Sequence, residues 1–332
     1  MTIVPRAVSR SGALRHEALF YRDDDDYVTG VRTFVEAGLA SAEPVLVVVP
    51  EPRHEALRRA VEAIAVPRHA VEVPREAGDG DKPEVRYVDM ATAGRNPGWI
   101  IPGILHAFLA EHPTTRVRIV VEPIWPGRAA VAYPRCVQHE ALVNLALGDE
   151  PASILCPYDA VALNADVIAD AASTHPVLIR AGVPQGSAGY GSPEAVVDAF
   201  NRPLSEPPLT PSTLLFDRAG MAGMRALVAA LAGEAGLAPD RVADLRLATN
   251  EIATNAVVHG GEPAVLRVWA EPTGMVCEVI GTSVLTNRLA GLLPAAPTSE
   301  QGRGLLLVNH LCDLVHVHTT DESTTVRLHM NW

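Results

Sequence analysis

Short apolar runs alternate with helical segments over the first 180 residues, and this alternation constrains the fold more than any other feature. The run from Pro44 to Pro50 is PVLVVVP, and similar runs lie at 116–122 and 153–156. Strands that are buried on both faces of a sheet have this composition. The helical segments between them are 27–40, 54–64, 100–111 and 135–147. The pattern predicts an α/β domain with a parallel sheet.

A segment rich in glycine, proline and serine interrupts this pattern between residues 182 and 212. It contains GVPQGSAGYGSP and RPLSEPPLTPS, which are compositions typical of a linker. We therefore predict a first domain over 1–190, a linker over 191–210 and a second domain over 211–332.

The second domain has a different order of elements. A strand at 213–216 is followed by helices at 218–235 and 239–258. Two strands, 264–271 and 275–280, form a hairpin through Pro272-Thr273-Gly274, a turn-forming trio. A helix then begins near Gly304, and strands at 314–319 and 324–330 end the domain. Segregated helices and strands predict an α+β sandwich with helices on one face of the sheet.

Composition excludes several classes of protein. With 27 Lys+Arg against 39 Asp+Glu, the net charge is −12, and an acidic chain without a basic block is a poor candidate for nucleic-acid binding. Lys82 is the only lysine, which excludes a Walker A loop elsewhere. The longest uncharged run, 96–110, is shorter than the roughly 20 residues that span a bilayer. We expect a cytoplasmic protein whose four unpaired cysteines stay reduced.

One predicted helix carries a polar stripe. Glu251, Asn255 and His259 are spaced four residues apart, so they share one helix face. A neighbouring apolar stripe, which we expect to face the sheet, consists of Val242, Leu245, Ala248, Ile252 and Ala256. A carboxylate one turn before an amide suits Asn255 as a ligand for a hard cation and Glu251 as a general base.

A glycine-rich step opens the next helix. Gly302, Arg303 and Gly304 are followed by LLLV. Unpaired backbone N–H groups and the positive end of the helix dipole make such a start suitable for an anion.

Together, these motifs resemble the ATP-binding fold shared by gyrase, Hsp90, histidine kinases and MutL. LRLATNEIATNAVVHGG and GRGLLLVNHLCD resemble the anti-sigma-factor serine kinases of Gram-positive bacteria, over about residues 211–332. The resemblance implies ATP and Mg²⁺ as cofactors. It implies these roles: Glu251 as general base, Asn255 as Mg²⁺ ligand, Gly302, Arg303 and Gly304 as the hinge of a phosphate-side lid, and Thr324 near the adenine, with His259 and Gly281 also at the site.

The sequence departs from that family at one position. The family places an Asp-x-Gly after the hairpin, where the Asp accepts a hydrogen bond from the adenine amino group, but Gly281 and Ser283 stand there in this chain. Loss of that acceptor lowers the binding free energy by about 1.5–3 kcal/mol, or roughly tenfold to a hundredfold in affinity. Glu278 is expected on the opposite face of the strand from Val279, so it does not replace the missing acceptor.

The first domain has less specific motifs. Asp23–Asp26 is expected to cap the helix that begins near Tyr27. Glu122 and Trp125 follow a buried strand, where ligands bind in open α/β sheets. A further set, Cys136 and His139 on one helix with His16 and Cys156, is compatible either with a metal or haem site or with ordinary buried core residues.

This half resembles the MEDS sensory domain of methanogen and methylotroph regulators. The matching pieces are HEALFYRD, PVLVVVP, EPIWPGR, QHEALVNLAL and ILCPYD, over about residues 14–180. The resemblance implies a degenerate RecA/KaiC-like fold that senses a small organic molecule. The candidate sensory residues are His16, Tyr21, Glu122, Trp125, His139 and Cys156.

The two resemblances together imply a regulator of transcription that acts by partner switching. The second domain would bind a sigma factor and phosphorylate a serine of a STAS-type anti-anti-sigma protein, under the control of an effector bound by the first domain, in a chain that can form a homodimer. The alternative is a non-catalytic anti-sigma scaffold with impaired ATP binding. A sensor histidine kinase is disfavoured because no HExxP-like phosphoacceptor precedes residue 211.

Overall fold

The computed structural model describes residues 13–63, 85–207, 210–260, 263–293 and 303–332. The chain forms two compact units. The first contains Met1–Gly94, Leu105–Ala129 and Val143–Gly191, and the second contains Arg95–Ile104, Ala130–Leu142 and Ser192–Trp332. Two short segments that precede residue 191 in sequence thus belong to the second unit.

Strands and helices alternate up to residue 200. In chain order the elements are β1 Arg15–Tyr21, α1 Asp24–Ala40, β2 Val45–Val49, α2 His54–Glu62, β3 Val85–Asp89, α3 Met90–Ala93, α4 Pro97–Trp99, α5 His106–Glu111, β4 Val117–Val121, α6 Tyr133–Ala146, β5 Ala152–Asp159, α7 Ala165–Thr174, β6 Val177–Arg180, β7 Val183–Gly186 and α8 Pro193–Ala199.

The first unit is built on a sheet of seven strands in the order β3-β2-β4-β5-β1-β6-β7. The pairs from β3 to β6 are parallel, and only the edge pair β6–β7 is antiparallel. All five residues of β2 are buried, which explains its continuous apolar run. The predicted parallel α/β domain is confirmed in this coarse form.

The acidic run Asp23–Asp26 caps the first helix, as predicted, but the helix begins at Asp24, three residues before the expected start near Tyr27. Asp23 is the N-cap of α1, and its carboxylate accepts a hydrogen bond from the backbone N–H of Asp26 at 2.8 Å. Three aspartates in the first turn face the positive end of the helix dipole.

Two predicted segments differ in detail from the structure. The helix expected over 100–111 begins as a π-helical turn, Ile100–Leu105, before α5, because Pro102 lacks the N–H that a regular α-helical hydrogen bond requires. The linker expected over 191–210 contains α8, which starts at Pro193 and is capped by the hydroxyl of Ser192.

The second unit is built on an antiparallel sheet. Its elements from residue 212 onward are β8 Ser212–Phe216, α9 Met221–Glu234, α10 Pro239–His259, β9 Ala264–Glu271, β10 Gly274–Gly281, α11 Arg303–Leu311, β11 Leu314–Thr319 and β12 Thr324–Asn331. The strand order is β11-β12-β10-β9-β8, and β9 and β10 form the predicted hairpin.

Helix α10 packs on this sheet through the predicted apolar stripe. Four residues of this stripe are buried in the core: Leu245, Ala248, Ile252 and Ala256. The fifth, Val242, is partly buried and packs against that core. The same core includes Val279 of β10 and Val326 of β12. The polar stripe that begins at Glu251 is thereby directed along an edge of the helix rather than into the sheet.

The segment Arg95–Ile104 is held in the second unit by polar contacts. The guanidinium of Arg95 donates to the carboxylate of Asp313 at 2.6 Å. The amide of Asn96 donates to the backbone carbonyl of Asn309 at 2.8 Å, and both of these side chains are buried.

All four cysteines are buried, and none forms a disulfide. Over the described part of the chain, no helix has both the length and the apolar character needed to cross a membrane.

Candidate functional site

A cavity of about 550 Å³ in the second unit lies between α10, the strands β10 and β12, and the residues before α11. Its walls are largely apolar and include Ile252, Val279, Leu305 and Val326. None of the described lining residues carries a formal charge. A space of this size with apolar walls and a few polar groups is typical of a small-molecule site.

The predicted carboxylate–amide pair meets the start of α11 at this cavity. A Cβ atom placed on Gly304 would lie 3.1 Å from Oε2 of Glu251 and 3.6 Å from Nδ2 of Asn255. Asn255 and Gly304 line the cavity, with Asn255 exposed and Glu251 half-buried. Gly304 therefore lies close to the Glu251 carboxylate, which would have to shift by a few tenths of an ångström to admit a side chain at position 304.

Gly281 lies at the end of β10, where the related family has an aspartate. A Cβ atom at this position would lie 2.7 Å from Cβ and 3.2 Å from Cα of Ala256 on α10. The helix therefore approaches the strand more closely than a side chain allows, and an aspartate cannot be accommodated here without movement of α10.

Thr324 faces Gly281 across the β10–β12 pair. Its hydroxyl lines the cavity and accepts a hydrogen bond from the backbone N–H of Leu285 at 3.0 Å. The hydroxyl hydrogen of Thr324 is still available as a donor to a ligand.

The remaining predicted residues of this site are placed only in part. Arg303 is the first residue of α11 and is exposed. Gly302 lies outside the described residues, as does the side chain of His259, the last residue of α10. Their predicted roles remain predictions.

Glu278 lies on the other face of the sheet, as expected from its position beside Val279. Its carboxylate accepts from Arg327 at 2.6 Å and pairs with Arg267 at 3.4 Å. Arg267, Glu278 and Arg327 are in register on three neighbouring strands. The Glu278 carboxylate is therefore held on the face of the sheet opposite to Val279.

In the first unit, two predicted sensory residues belong to one buried network. The guanidinium of Arg53 donates to the Tyr21 hydroxyl at 2.6 Å and lies 3.5 Å from the Glu122 carboxylate. Tyr27 also donates to Glu122, at 3.2 Å. Sequence reasoning missed Arg53 and Tyr27, because only the parallel pairing of the strands brings their segments beside Glu122.

Glu122 is fully buried, and Oε1 of its carboxylate has no hydrogen-bond partner among the described residues. Burial raises the pKa of Glu122 to about 7, against the opposing effects of Arg53 and of hydrogen bonds from Tyr27 and Tyr21. Burial likewise raises the pKa of the Tyr21 phenol. The network thus holds a carboxyl group that titrates near neutral pH.

A second cavity, of about 560 Å³, lies at the carboxyl ends of the parallel strands of the first unit. Four of its lining residues lie at or shortly after the ends of four different strands: Arg53, Asp89, Trp125 and Asp159. The position of Trp125 agrees with the expectation that ligands bind at this edge of a parallel sheet.

His16 and Cys156 are neighbours, with Nε2 of His16 and Sγ of Cys156 separated by 3.4 Å. Their strands β1 and β5 pair in parallel. His175, which no sequence spacing had indicated, forms a group of three with them. Neither Cys136 nor His139 belongs to this group.

Comparison with known protein families gives one match for each half of the chain. Residues 15–176 match MEDS, the methanogen/methylotroph DcmR sensory domain. Residues 216–330 match the histidine kinase-like ATPase domain.

A similar solved structure is that of the RsbU and RsbW domains of Rv1364c from Mycobacterium tuberculosis, at 19% identity and a TM-score of 0.29. The alignment covers 37% of this chain and 33% of that one, so it spans about a third of the relative. The search of curated proteins found no match.

Proposed function

We propose that this chain, which joins a MEDS sensory domain to a histidine kinase-like ATPase domain, is a partner-switching regulator whose second domain binds Mg²⁺·ATP and phosphorylates a protein serine. The observation that carries the proposal is the meeting of Glu251 and Asn255 with Gly304 beside a cavity that Asn255 and Gly304 line.

The residues at the cavity fit a magnesium nucleotide. The apolar walls suit an adenine ring, and the hydroxyl of Thr324 is a donor at the end where β10 and β12 meet. The Asn255 amide oxygen is a hard ligand of the kind that Mg²⁺ prefers. Gly304 lies in the first turn of α11, whose backbone N–H groups suit phosphate oxygens.

The chain's own chemical contribution is proton transfer and positioning. Glu251 accepts the proton of the attacking serine hydroxyl, in the role of a general base. Asn255 would hold the metal, which would supply charge neutralisation at the phosphates while the γ-phosphoryl group passes to the serine oxygen and ADP leaves. Gly304 lies next to Glu251 in the first turn of α11.

The partners in the proposal follow from the kind of domain and not from contacts. A sigma factor and a STAS-type anti-anti-sigma protein are the proposed alternatives between which the second domain chooses. A small effector at the cavity beside Trp125 and Arg53 would bias that choice.

A second function, sequestration of a partner without phosphotransfer, is favoured by one observation. Gly281 provides no acceptor for the adenine amino group, and Ala256 leaves no room for one. A nucleotide therefore binds with one hydrogen bond fewer, which favours a scaffold if the remaining contacts are too weak.

Calorimetry with the full chain separates the two functions. We expect ATP to bind only in the presence of Mg²⁺, and Asn255→Ala to weaken this binding. The matched control is Asn250→Ala on the same helix, because Asn250 contacts Arg225 and does not line the cavity. Absence of Mg²⁺·ATP binding by the native chain would overturn the kinase and leave the scaffold.

A further inference from the structure

Three buried side chains that can bind a metal ion converge in the first unit. One ligand atom each of His16, Cys156 and His175 lies within 4.8 Å of the other two. All three residues are buried. Such a set is costly to bury unless the polar groups satisfy one another or a common ligand.

Pairing of the strands brings these three side chains together. β1, which carries His16, lies between β5, which carries Cys156, and β6, which begins two residues after His175. The ring centroids of His16 and His175 are 4.1 Å apart. Asn144, on α6, contacts His16.

Hydrogen bonds behind the cluster fix the tautomer of His16. The amide nitrogen of Asn144 donates to the backbone carbonyl of Thr174 at 2.8 Å, which directs its amide oxygen toward His16. That oxygen lies 3.1 Å from Nδ1 of His16, so Nδ1 carries the proton and donates it. The lone pair of the ring is consequently on Nε2, the atom that faces Cys156.

His175 has the same tautomer for the same reason. Its Nδ1 atom lies 2.8 Å from the backbone carbonyl of Ala171, which can only accept, so Nδ1 carries the proton. The lone pair is again on Nε2. Histidine ligands of metal ions are oriented in this way, with one ring N–H given to a carbonyl or amide oxygen and the other nitrogen turned to the metal.

We propose that His16, Cys156 and His175 bind one divalent transition-metal ion, for which Zn²⁺ is the best fit. Two imidazoles and a thiolate are ligands that zinc takes in tetrahedral geometry, with the fourth position left for a further ligand. The thiolate offsets part of the charge of the dication, which lowers the cost of burying both.

Titration of the full-length, reduced chain with Co²⁺ tests the site directly, since cobalt replaces zinc and is coloured. We expect one Co²⁺ per chain, with the thiolate-to-cobalt charge-transfer band and the strong visible bands of a tetrahedral complex, and displacement of both by Zn²⁺. Absence of the charge-transfer band in the native chain would overturn the proposal. This readout needs no nucleotide, so its failure is separate from failure of the proposed kinase.

Variants assign the ligands. Cys156→Ser should abolish the charge-transfer band, whereas Cys136→Ser, a buried cysteine on α6 outside the cluster, should retain it. Loss of the band in Cys136→Ser alone would show that the wrong thiol had been assigned. Asn144→Leu should weaken the affinity for cobalt by about 10–100-fold, because it removes the group that orients His16. If Cys156→Ser does not fold, the native titration and Asn144→Leu still decide the question.

Discussion

The two cavities have nearly the same volume, about 550 and 560 Å³, but opposite linings. The cavity on the antiparallel sheet has apolar walls, and one helix supplies Asn255 to its lining and carries Glu251 one turn earlier. The cavity of the parallel sheet is lined by charged residues that include Arg53, Asp89 and Asp159, each from a different strand end.

This difference follows from the direction of the strands. A parallel sheet brings all its carboxyl ends to one edge, so residues far apart in sequence gather there without a local motif. In an antiparallel sheet no edge collects equivalent strand ends, and the groups are carried by one helix with a fixed spacing. The site on the antiparallel sheet can therefore be recognised in the sequence as a motif, whereas the site on the parallel sheet cannot.

The largest expected effect is on phosphotransfer. Glu251→Gln should lower its rate by about 10²–10⁴-fold, because the amide cannot accept the serine proton, while Mg²⁺·ATP binding is retained. Radiolabel transfer to a STAS-type partner measures the rate, and Glu234→Gln, an exposed change at the end of α9, serves as the control. An unchanged rate in Glu251→Gln would remove this residue from the proposed chemistry.

A smaller effect is expected on nucleotide affinity. Gly281→Asp alone should not improve binding, because its Cβ would lie 2.7 Å from that of Ala256. Combined with Ala256→Gly, the new aspartate should raise the affinity for ATP by about tenfold to a hundredfold, the value of one charged hydrogen bond. Calorimetry on both variants checks this. Tighter binding by the single variant would show that α10 is not the obstacle.

For the first unit we expect a loss of stability as the pH rises. The folded-state pKa of Glu122, about 7, lies above its ordinary value of 4.5. Its contribution is therefore fully present below pH 4.5 and is lost as the pH rises through about 7, by about 3 kcal/mol in all. Urea unfolding of Glu122→Gln should lack this loss, whereas Glu111→Gln, in an exposed pair with Arg86, should retain it. Parallel pH profiles for Glu122→Gln and the native chain would contradict the assignment.

The smallest expected effect is on the stability of the second unit, which should fall as the pH is lowered rather than raised. Burial lowers the pKa of His316 to about 3 and of His329 to about 4, both from 6.5. Besides burial, the neighbouring His329, Arg135 and Arg327 disfavour the protonated form of His316. At His329, Arg327 also disfavours protonation, whereas the negative charge of Glu271 favours it. The stability that neutral histidines contribute is present above pH 6.5 and is lost as the pH falls toward their folded-state values.

At pH 6 the loss should be on the order of 1 kcal/mol for the pair. The double variant His316→Gln/His329→Gln should be less sensitive to acid than the native chain when unfolding is followed between pH 7 and pH 5. Equal sensitivity would show that these histidines are accessible to solvent when protonated.

Local sequence patterns predicted the elements of the second unit more fully than those of the first unit. The hairpin β9–β10 and the helix α10 agree with the expected bounds to within about two residues, because alternation and helical spacing are properties of neighbouring residues. β1 was missed as a strand because its first residues, His16 and Glu17, are polar and yet buried.

The sites show the same division. Glu251, Asn255 and Gly304 could be predicted to meet, since two short motifs define them. The approach of Ala256 to Gly281 could not, because it depends on how closely a helix packs on a strand. His175 joins His16 only through the order of β1 and β6 in the sheet, which no spacing along the chain encodes.

The segment Arg95–Ile104 makes the second domain inseparable by a single cut. A fragment that begins at residue 205 would lose the Arg95 guanidinium from Asp313 and the Asn96 amide from the carbonyl of Asn309. Genetic dissection at the glycine- and proline-rich stretch would thus yield a truncated domain with an uncovered polar surface. A self-sufficient version would have to be assembled as a permutant, with both earlier segments, Arg95–Ile104 and Ala130–Leu142, joined to the excised piece.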